Sequence, residues 1–309
     1  MLRIVVLGSA AGGGFPQWNC NCVNCRRARS GDNAVEARTQ SSVAVTADGD
    51  HWFLLNASPD VRQQIEATPR LQPKAEPRHS PIAGVVLTNG DVDHVAGLLS
   101  LRERQPMTVH ATGRVLGALA GNPVFGVLAA EIVQRKRLPL DREVGLHLPD
   151  GTAAGIAVTA FAVPGKVALW LEQPGLDNFG SVDEDSVGLR VRDAAGRATF
   201  FYIPGCAAMP DSLARRLAGA SLVMFDGTTW TDDEMQRSGT GVKTGSRMGH
   251  MCMSGPGGSI AVFEPLGVRR RVFVHINNTN PVLRADSAER TEAEAAGWEI
   301  GRDGMEIEL

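Results

Sequence analysis

Two carboxylates and one imidazole, Asp91, Asp93 and His94, lie within four residues of one another in the chain. They follow the apolar, β-branched run 82–87, which predicts a buried strand, and they precede leucines at helical spacing. A strand-to-helix turn is where α/β folds bind their ligands. Carboxylate and imidazole groups at such a turn can bind a metal ion, but an aspartate there can also cap a helix. These residues alone leave both interpretations open.

Three thiols, Cys20, Cys22 and Cys25, form a second group of metal-binding residues. Thiolates this close repel one another unless a cation neutralises them, and Zn²⁺ accepts tetrahedral sulfur ligation readily. Three arginines follow within the next four residues and would offset the negative charge. We therefore expect a structural zinc loop at 15–30. The site needs a fourth ligand that the spacing does not identify.

Strands and helices alternate along the chain around these residues. Apolar β-branched runs predict strands, and apolar residues four apart predict helices. Residues 121–150 have little pattern and are an expected insertion over the site. Pattern alone predicts only an α/β or α+β fold, and a chain of this length can bury one large core over 1–309 or two small ones. In chain order we expect strands at 2–7, 41–46, 52–56, 82–87, 107–111, 156–163, 187–192, 198–203, 221–225, 260–263 and 271–275, helices at 59–67, 114–119 and 211–218 and after residue 94, and a closing hairpin at 298–309.

The composition excludes several classes of protein. Charged residues make up 21% of the 309 and the net charge is −3, so nucleic acid is not an expected partner. No apolar run approaches the length of a membrane span, and residues 1–7 have the pattern of a strand rather than of a signal peptide. The 5 cysteines are an odd number with three clustered, which suits a reducing compartment. We expect a cytoplasmic protein, with a homodimer as one option for its assembly.

The turn at 88–94 resembles that of the metallo-β-lactamase superfamily, whose pattern is Thr-His-x-His-x-Asp-His followed by a Gly-Leu helix. Asn89 and Asp91 stand at the first two histidines of that pattern. Asp93 and His94 match its last two ligands. One half of the usual two-metal signature is therefore altered, and the other half is intact.

Two further motifs accompany the altered turn. One is the glycine- and cysteine-rich stretch 8–25, and the other is His-Ile-Asn-Asn-Thr-Asn-Pro at 275–281. Together the three motifs closely resemble the pyrroloquinoline quinone (PQQ) biosynthesis protein B family, and the resemblance covers essentially the whole chain. It implies a single metallo-β-lactamase-like domain with the αββα sandwich fold.

The resemblance also implies a site for one metal. Asp93, His94 and His275 are the intact half of the superfamily's ligand set, and two imidazoles with one carboxylate suit non-haem Fe(II) and O₂ chemistry. Asp91 is expected to be an additional oxygen ligand or a hydrogen-bond acceptor. His250 resembles the histidine that contacts substrate in the superfamily, and a structural role is its alternative. A decayed site that binds no metal is the alternative for the whole set.

Other ligands of the superfamily are missing. Pro164 stands near a further histidine position and Cys206 where the bridging aspartate is usual, which argues against a dinuclear zinc hydrolase. In related phosphodiesterases a histidine three residues after the last active-site histidine completes the cysteine-loop zinc. That position is Asn278 here, so Asn278, His250 and water all remain open as fourth ligand. Asp226 either orients a ligand or caps the turn that follows it.

Three functions follow from the resemblance. PQQ is a redox cofactor built from the Glu and Tyr of a small ribosomal peptide, and one step must add oxygen to the tyrosine ring. The first hypothesis is an Fe(II)- and O₂-dependent hydroxylase of a Glu–Tyr-derived precursor, with Fe²⁺ in the active site and structural Zn²⁺. The second is a non-catalytic carrier of PQQ or its precursor that assists export. The third hypothesis, hydrolysis of a phosphodiester or lactam by residual zinc, has the weakest support.

Overall fold

The computed structural model describes all 309 residues. Its first sheet has seven strands, and the two chain ends lie next to each other in it, since residues near Ile307 pair with residues near Ile4. In spatial order its strands are β14 (Glu306–Glu308), β1 (Arg3–Gly8), β2 (Ser42–Thr46), β3 (Trp52–Leu55), β4 (Ile82–Val86), β5 (Met107–Ala111) and β6 (Val133–Arg137).

The second sheet also has seven strands. One strand, at residues 199–203, joins an antiparallel half of this sheet to a parallel half. It pairs antiparallel with its neighbour on one side and in parallel with residues 223–226 on the other. In spatial order its strands are β13 (Trp298–Ile300), β12 (Arg271–Val274), β11 (Val223–Asp226), β10 (Thr199–Ile203), β9 (Val187–Asp193), β8 (Ala153–Ala162) and β7 (Glu143–His147).

Nine α-helices of at most eight residues connect the strands, and none is long and apolar enough to cross a membrane. They are α1 (Val23–Arg29), α2 (Val61–Ala67), α3 (Val92–Val95), α4 (Gly113–Ala120), α5 (Asp211–Leu217), α6 (Glu234–Arg237), α7 (Gly245–Met248), α8 (Ser259–Phe263) and α9 (Ala288–Ala295). Single 3₁₀ turns lie at Pro69–Leu71, Ala96–Leu99, Pro123–Val127, Leu169–Leu171, Asp177–Gly180, Glu264–Leu266 and Pro281–Leu283.

The hydrophobic core has three layers because the central strands of each sheet bury both of their faces. In β1, Ile4 and Val6 point into a cluster of 26 buried residues between the two sheets. Val5 and Leu7 point the other way, into a cluster under the helices of the first sheet. This alternation follows from the two-residue period of a strand. A third cluster lies under the helices of the second sheet. The predicted αββα sandwich of the metallo-β-lactamase fold is confirmed.

The strand pairing brings residues that are distant in sequence to one end of the sandwich. In the second sheet β11 and β12 are parallel, and Asp226 is opposite Val274. The residues that follow both strands therefore emerge side by side. From the first sheet, β4 ends at Val86 and leads into the turn that contains Asp93. The two sheets deliver their metal-binding side chains to the same edge.

Two predictions about the C-terminal part of the sequence were wrong. Residues 260–263 were expected to form a strand, but they lie in α8, where the ring of Phe263 packs edge-on against Phe225 and Trp298. A short apolar run looks alike in a buried strand and a buried helix. Residues 298–309 were expected to form a hairpin, but β13 joins the second sheet and β14 the first. The chain therefore crosses from the second sheet to the first between β13 and β14, and these two strands do not pair with each other.

The poorly patterned residues 121–150 contain the outer strands of both sheets. Strand β6 pairs in parallel with β5, and β7 pairs antiparallel with β8. The segment thus contributes to the edges of the sandwich. That it is an insertion, and that the chain is one domain with a zinc loop at 15–30, stay predictions.

The carboxylate of Asp303 stabilises the segment in which the chain crosses from the second sheet to the first. Asp303 accepts hydrogen bonds from the backbone N–H and hydroxyl of Ser9, both at 3.0 Å, and from those of Thr39, both at 2.7 Å. These bonds attach the C-terminal turn to the loop that follows β1 and to the residues before β2.

We predict that Asp303→Ala lowers the free energy of unfolding by about 3 kcal/mol, because it leaves several polar groups unsatisfied. Asp50→Ala is the matched control, since Asp50 is 78% exposed and makes one weak ion pair at 3.7 Å with Lys74. Its effect should stay below about 1 kcal/mol. Urea denaturation of both variants measures the difference. Equal stabilities for the two variants would contradict the role given to Asp303.

Candidate metal centre

The turn between β4 and α3 presents its two aspartates differently. The backbone carbonyl of Asp91 accepts the N–H of His94 at 2.9 Å and of Val95 at 3.0 Å, but its carboxylate makes no capping hydrogen bond. The simple capping interpretation is therefore wrong for this side chain. Asp93, two residues later, points toward the second sheet, where its Oδ2 lies 3.0 Å from Nε2 of His275.

His94 is buried with one ring nitrogen satisfied and the other free. Its Nδ1–H donates to Oδ1 of Asn89 at 2.7 Å, whereas its Nε2 has no hydrogen-bond partner. A buried imidazole nitrogen without a partner costs free energy unless a ligand binds it. Burial lowers the pKa of His94 to about 4 despite the nearby charge of Asp93. The ring is thus neutral near pH 7, as a metal ligand must be.

His275 follows β12 directly and has a left-handed backbone with φ of 56°. Its Nδ1 is 2.9 Å from the hydroxyl of Thr228, which itself donates to Asp226 at 2.6 Å. With Nδ1 donating to Thr228, Nε2 is the nitrogen that faces Asp93. The ligand atoms of Asp93, His94 and His275 all lie within 4.8 Å of one another. The structure therefore brings together the three predicted ligands.

The electrostatics of this group suit the exchange of a proton for a metal ion. Burial works against a charged His275, but the hydrogen bond and charge of Asp93 outweigh it and raise the pKa of that histidine. Burial would raise the pKa of Asp93, yet the imidazoles beside it lower that pKa well below its usual range. Asp91 has a raised pKa, first because of burial and then because of repulsion by Asp93. A cation between the three ligands would replace the shared proton.

His250 belongs to the same region but has a different set of partners. Its Nδ1 lies 2.7 Å from Oδ2 of Asp226, which is fully buried, and its ring stacks on that of His275 with centroids 5.2 Å apart. Asp226, His250 and His275 also lie close enough together to hold a metal. However, Asp226 already accepts from Cys206, Thr228 and His250. The free nitrogen of His94 favours the other group as the metal centre.

The three cysteines of the loop at 15–30 surround one side-chain amide. Nδ2 of Asn278 lies 3.1 Å from Sγ of Cys20, 3.7 Å from Cys22 and 3.3 Å from Cys25. An amide rotated by a half-turn would direct its oxygen to the same place. His250 is bound to Asp226 instead. Of the two residues left open as fourth ligand, only Asn278 is in position.

The sequence matches the beta-lactamase superfamily domain over residues 51–276. It is 56% identical over 308 residues to coenzyme PQQ synthesis protein B of Gluconacetobacter diazotrophicus, covering 99% of both chains. The corresponding protein of Methylobacterium nodulans is 53% identical and both chains are covered completely. The chain belongs to the coenzyme PQQ synthesis protein B family.

Two solved structures place this family member among known folds. The crystal structure of Zn²⁺-bound PqqB from Methylobacterium extorquens has a TM-score of 0.94 at 51% identity, covering 99% of this chain and 100% of that one. A diphosphatase of the PhnP family has a TM-score of 0.69 at 19% identity, covering 100% and 97%. The second likeness concerns the fold alone.

Sequence reasoning missed the residues that orient the ligands in this family member. Asn89 was seen only as a lost histidine, but it fixes the ring of His94. Thr228 was not singled out, although it contacts His275 and Asp226. Its position three residues beyond the end of the strand predicted at 221–225 was the only available signal. Asp226 accepts the N–H of Thr228, as expected of a residue that caps this turn, and it also contacts Nδ1 of His250.

A segment at 164–181 lies beside the metal-binding turn. The indole of Trp170 donates to the carbonyl of Gly90 at 2.9 Å. Glu172 forms a two-point hydrogen bond with Arg247 at 3.1 and 2.9 Å, and it pairs with Lys166 at 3.1 Å. Two basic side chains, Lys166 and Arg247, thus share one carboxylate at this wall of the site.

We predict that Cys22→Ser reduces zinc content and lowers the thermal midpoint together, because structural zinc contributes on the order of 10 kcal/mol to folding. Cys252→Ser is the matched control, since Cys252 is a free cysteine outside the cluster. The measurements are metal analysis and calorimetry on both variants. Full zinc with an unchanged midpoint in Cys22→Ser would refute the structural-zinc interpretation.

We predict that Asn89→Ala weakens binding of a divalent metal at the centre by about 10- to 100-fold, because the ring of His94 loses the partner that orients it. Asn122→Ala removes one amide hydrogen bond, to Ala118, far from the site and is the control. Anaerobic titration with Fe(II) against a coloured chelator gives both affinities. The same affinity in Asn89→Ala as in the control would show that Asn89 does not orient the ligand.

Proposed function

We propose that this protein is an Fe(II)- and O₂-dependent hydroxylase in PQQ biosynthesis that acts on the tyrosine ring of a Glu–Tyr-derived precursor. The observation that supports it best is the convergence of Asp93, His94 and His275, with the buried Nε2 of His94 unpartnered. Two imidazoles and one carboxylate leave open positions on a metal, as oxygen-activating Fe(II) requires. We assign Zn²⁺ to the cysteine loop, as thiolate ligands favour it.

The local chemistry favours one metal over two. Asn89 has no imidazole to offer, and its amide oxygen already accepts from Nδ1 of His94 and from the N–H of Asp91. Cys206 is buried, its thiol donates to the carbonyl of Ala208 at 3.1 Å, and burial raises its pKa to about 12. Cys206 also belongs to neither group of candidate ligands around His275. Asp226 has its oxygens occupied. These features count against a dinuclear hydrolase.

Bound Fe(II) would supply the activation of O₂, and the side chains around it would hold the substrate and its protons. Hydroxylation places one oxygen atom on the ring and releases the other as water, so a two-electron reductant is required. His250 is 17% exposed, and with Nδ1 bonded to Asp226 it keeps Nε2 for a substrate hydroxyl. We assign it the substrate contact and the proton of the phenol. Asp91 is an acceptor next to the metal ligands.

Two basic side chains beside the site, Lys166 and Arg247, suit a substrate with carboxylates. Lys166 packs against Gly249, next to His250, and its charge acts on Asp91. Its ammonium bonds Glu172 and the carbonyl of Val167, which leaves one of its three N–H groups free. Arg247 is one-third exposed. These two cations would bind the acidic groups of a Glu–Tyr-derived molecule.

A non-catalytic carrier of PQQ or its precursor is the second candidate. It is favoured by the missing superfamily ligands at Asn89, Pro164 and Cys206 and by the same two basic side chains. A carrier would bind the molecule equally well without iron. Iron dependence of turnover therefore separates the two candidates.

We predict that His275→Ala loses active-site iron and product together, whereas His250→Ala keeps iron and turns over more slowly or with a higher KM. Removal of a ligand removes the metal, but removal of a substrate contact does not. After anaerobic Fe(II) reconstitution, each variant receives a Glu–Tyr peptide, ascorbate and O₂. Iron per chain and oxygen incorporation by mass spectrometry are measured.

Two results would overturn these assignments. Iron lost from His250→Ala but retained in His275→Ala would show that the ligands are misassigned. If the unaltered protein binds the peptide or PQQ without any iron-dependent product, the carrier replaces the hydroxylase.

A further inference from the structure

The turn at 275–280 lies between the cysteine loop and the proposed iron site. It begins with His275 and, three residues later, contains Asn278. Both side chains are buried, with exposures of 5% and 4%. Each reaches a different group of candidate metal ligands, since His275 faces Asp93 and Asn278 faces the three cysteine sulfurs. The two metal-binding groups are therefore connected by three residues of backbone.

The cysteine side of this turn holds it through several contacts. The amide of Asn278 lies against all three sulfurs at 3.1 to 3.7 Å. Its backbone carbonyl accepts from Nδ2 of Asn24, in α1, at 3.0 Å, and the carbonyl of Asn280 accepts from the same group at 2.9 Å. Asn24 directly precedes Cys25 in sequence. The position of the loop thus fixes the backbone of the turn.

The other side of the turn contacts the residues that orient the active-site histidines. Nδ2 of Asn280 donates to the carbonyl of Gly227 at 3.0 Å, and the N–H of Asn277 donates to the carbonyl of Thr228 at 3.0 Å. The hydroxyl of Thr228 in turn lies 2.9 Å from Nδ1 of His275. A shift of the turn would change both the ring and its partner.

His275 depends on these contacts because of its backbone. A φ of 56° places it in the left-handed region, which a residue with a β-carbon adopts only when its surroundings enforce it. The N–H of Ile276 donates to Ser9 at 2.8 Å and anchors one side. On the other side the anchor is Asn278, whose amide lies against three cysteine sulfurs that a bound cation would hold together. An empty cysteine site would loosen this anchor.

We infer that a cation in the cysteine loop strengthens metal binding by Asp93, His94 and His275, and that Asn278 is the positioning residue that links the two sites. Such coupling is reciprocal, so iron would also strengthen zinc binding, and typical couplings change affinity roughly 5- to 150-fold. Zinc would then be a condition for loading of iron as well as a support for the fold. The inference rests on the metal site of the proposed function but not on its reaction.

The test measures Fe(II) affinity by anaerobic chelator competition, with zinc content determined on the same samples. We expect zinc-loaded protein to bind Fe(II) at least about 5-fold more tightly than protein whose loop has been emptied. Asn278→Ala, with zinc retained, should bind Fe(II) more weakly by a similar factor. Asn278→His, whose side chain can also bind zinc, should restore the Fe(II) affinity. Asn19→Ala is the control, because Asn19 lies in the loop but bonds only Gln17.

Each outcome shows whether the zinc site and the iron site are coupled or bind their metals independently. If emptied protein does not fold, the comparison of Asn278→Ala with Asn278→His and Asn19→Ala in zinc-loaded samples decides alone. Equal Fe(II) affinities in these three variants would overturn the inference and leave the proposed function intact. Absence of Fe(II) binding in every form would overturn both.

Discussion

The site depends on the carboxylate of Asp93, which lies between two imidazoles supplied by different sheets. Its Oδ2 is 3.0 Å from Nε2 of His275 and 3.8 Å from Nε2 of His94. Each imidazole is held by its other nitrogen, one to Asn89 and one to Thr228. Buried charges are costly unless they are paired, so this arrangement is stable only with a proton or a metal ion between the ligands. The geometry of the fold around it serves to keep these partners in place.

Two features of the fold maintain that geometry. The parallel pairing of β11 and β12 places Asp226 and His275 at the same end of one sheet. The crossing of the chain between the sheets, held by Asp303, attaches the loop after β1 to the C-terminal turn. That loop then bonds to Ile276, next to the ligand. Residues remote in sequence therefore decide where the histidine ring lies. A metal site built from two sheets is rigid only if the sheets are fixed relative to each other.

Much of the architecture could be predicted from local patterns. The apolar runs predicted β1 to β5 of the first sheet, and the resemblance predicted Asp93, His94 and His275 as candidate ligands, which the structure brings together. Other features depend on partners that no local pattern contains. The strand at Ile307 pairs with Ile4 across the whole chain, and residues 260–263 form a helix whose Phe263 packs against aromatic rings that are distant in sequence. The orienting roles of Asn89 and Thr228 appear only once the histidines are placed, since an amide or hydroxyl in a sequence has no signature of its partner.

The central claim is that one iron ion binds at Asp93, His94 and His275 while zinc occupies the cysteine loop. Anomalous diffraction from crystals of the reconstituted protein, recorded on both sides of the iron and zinc absorption edges, tests it directly. The account predicts one iron peak in contact with Oδ2 of Asp93 and the Nε2 atoms of both histidines, and one zinc peak among the three sulfurs. Two metal peaks about 3.5–4 Å apart at the histidines, the spacing of dinuclear sites, or an iron peak on Asp226 and His250, would contradict it.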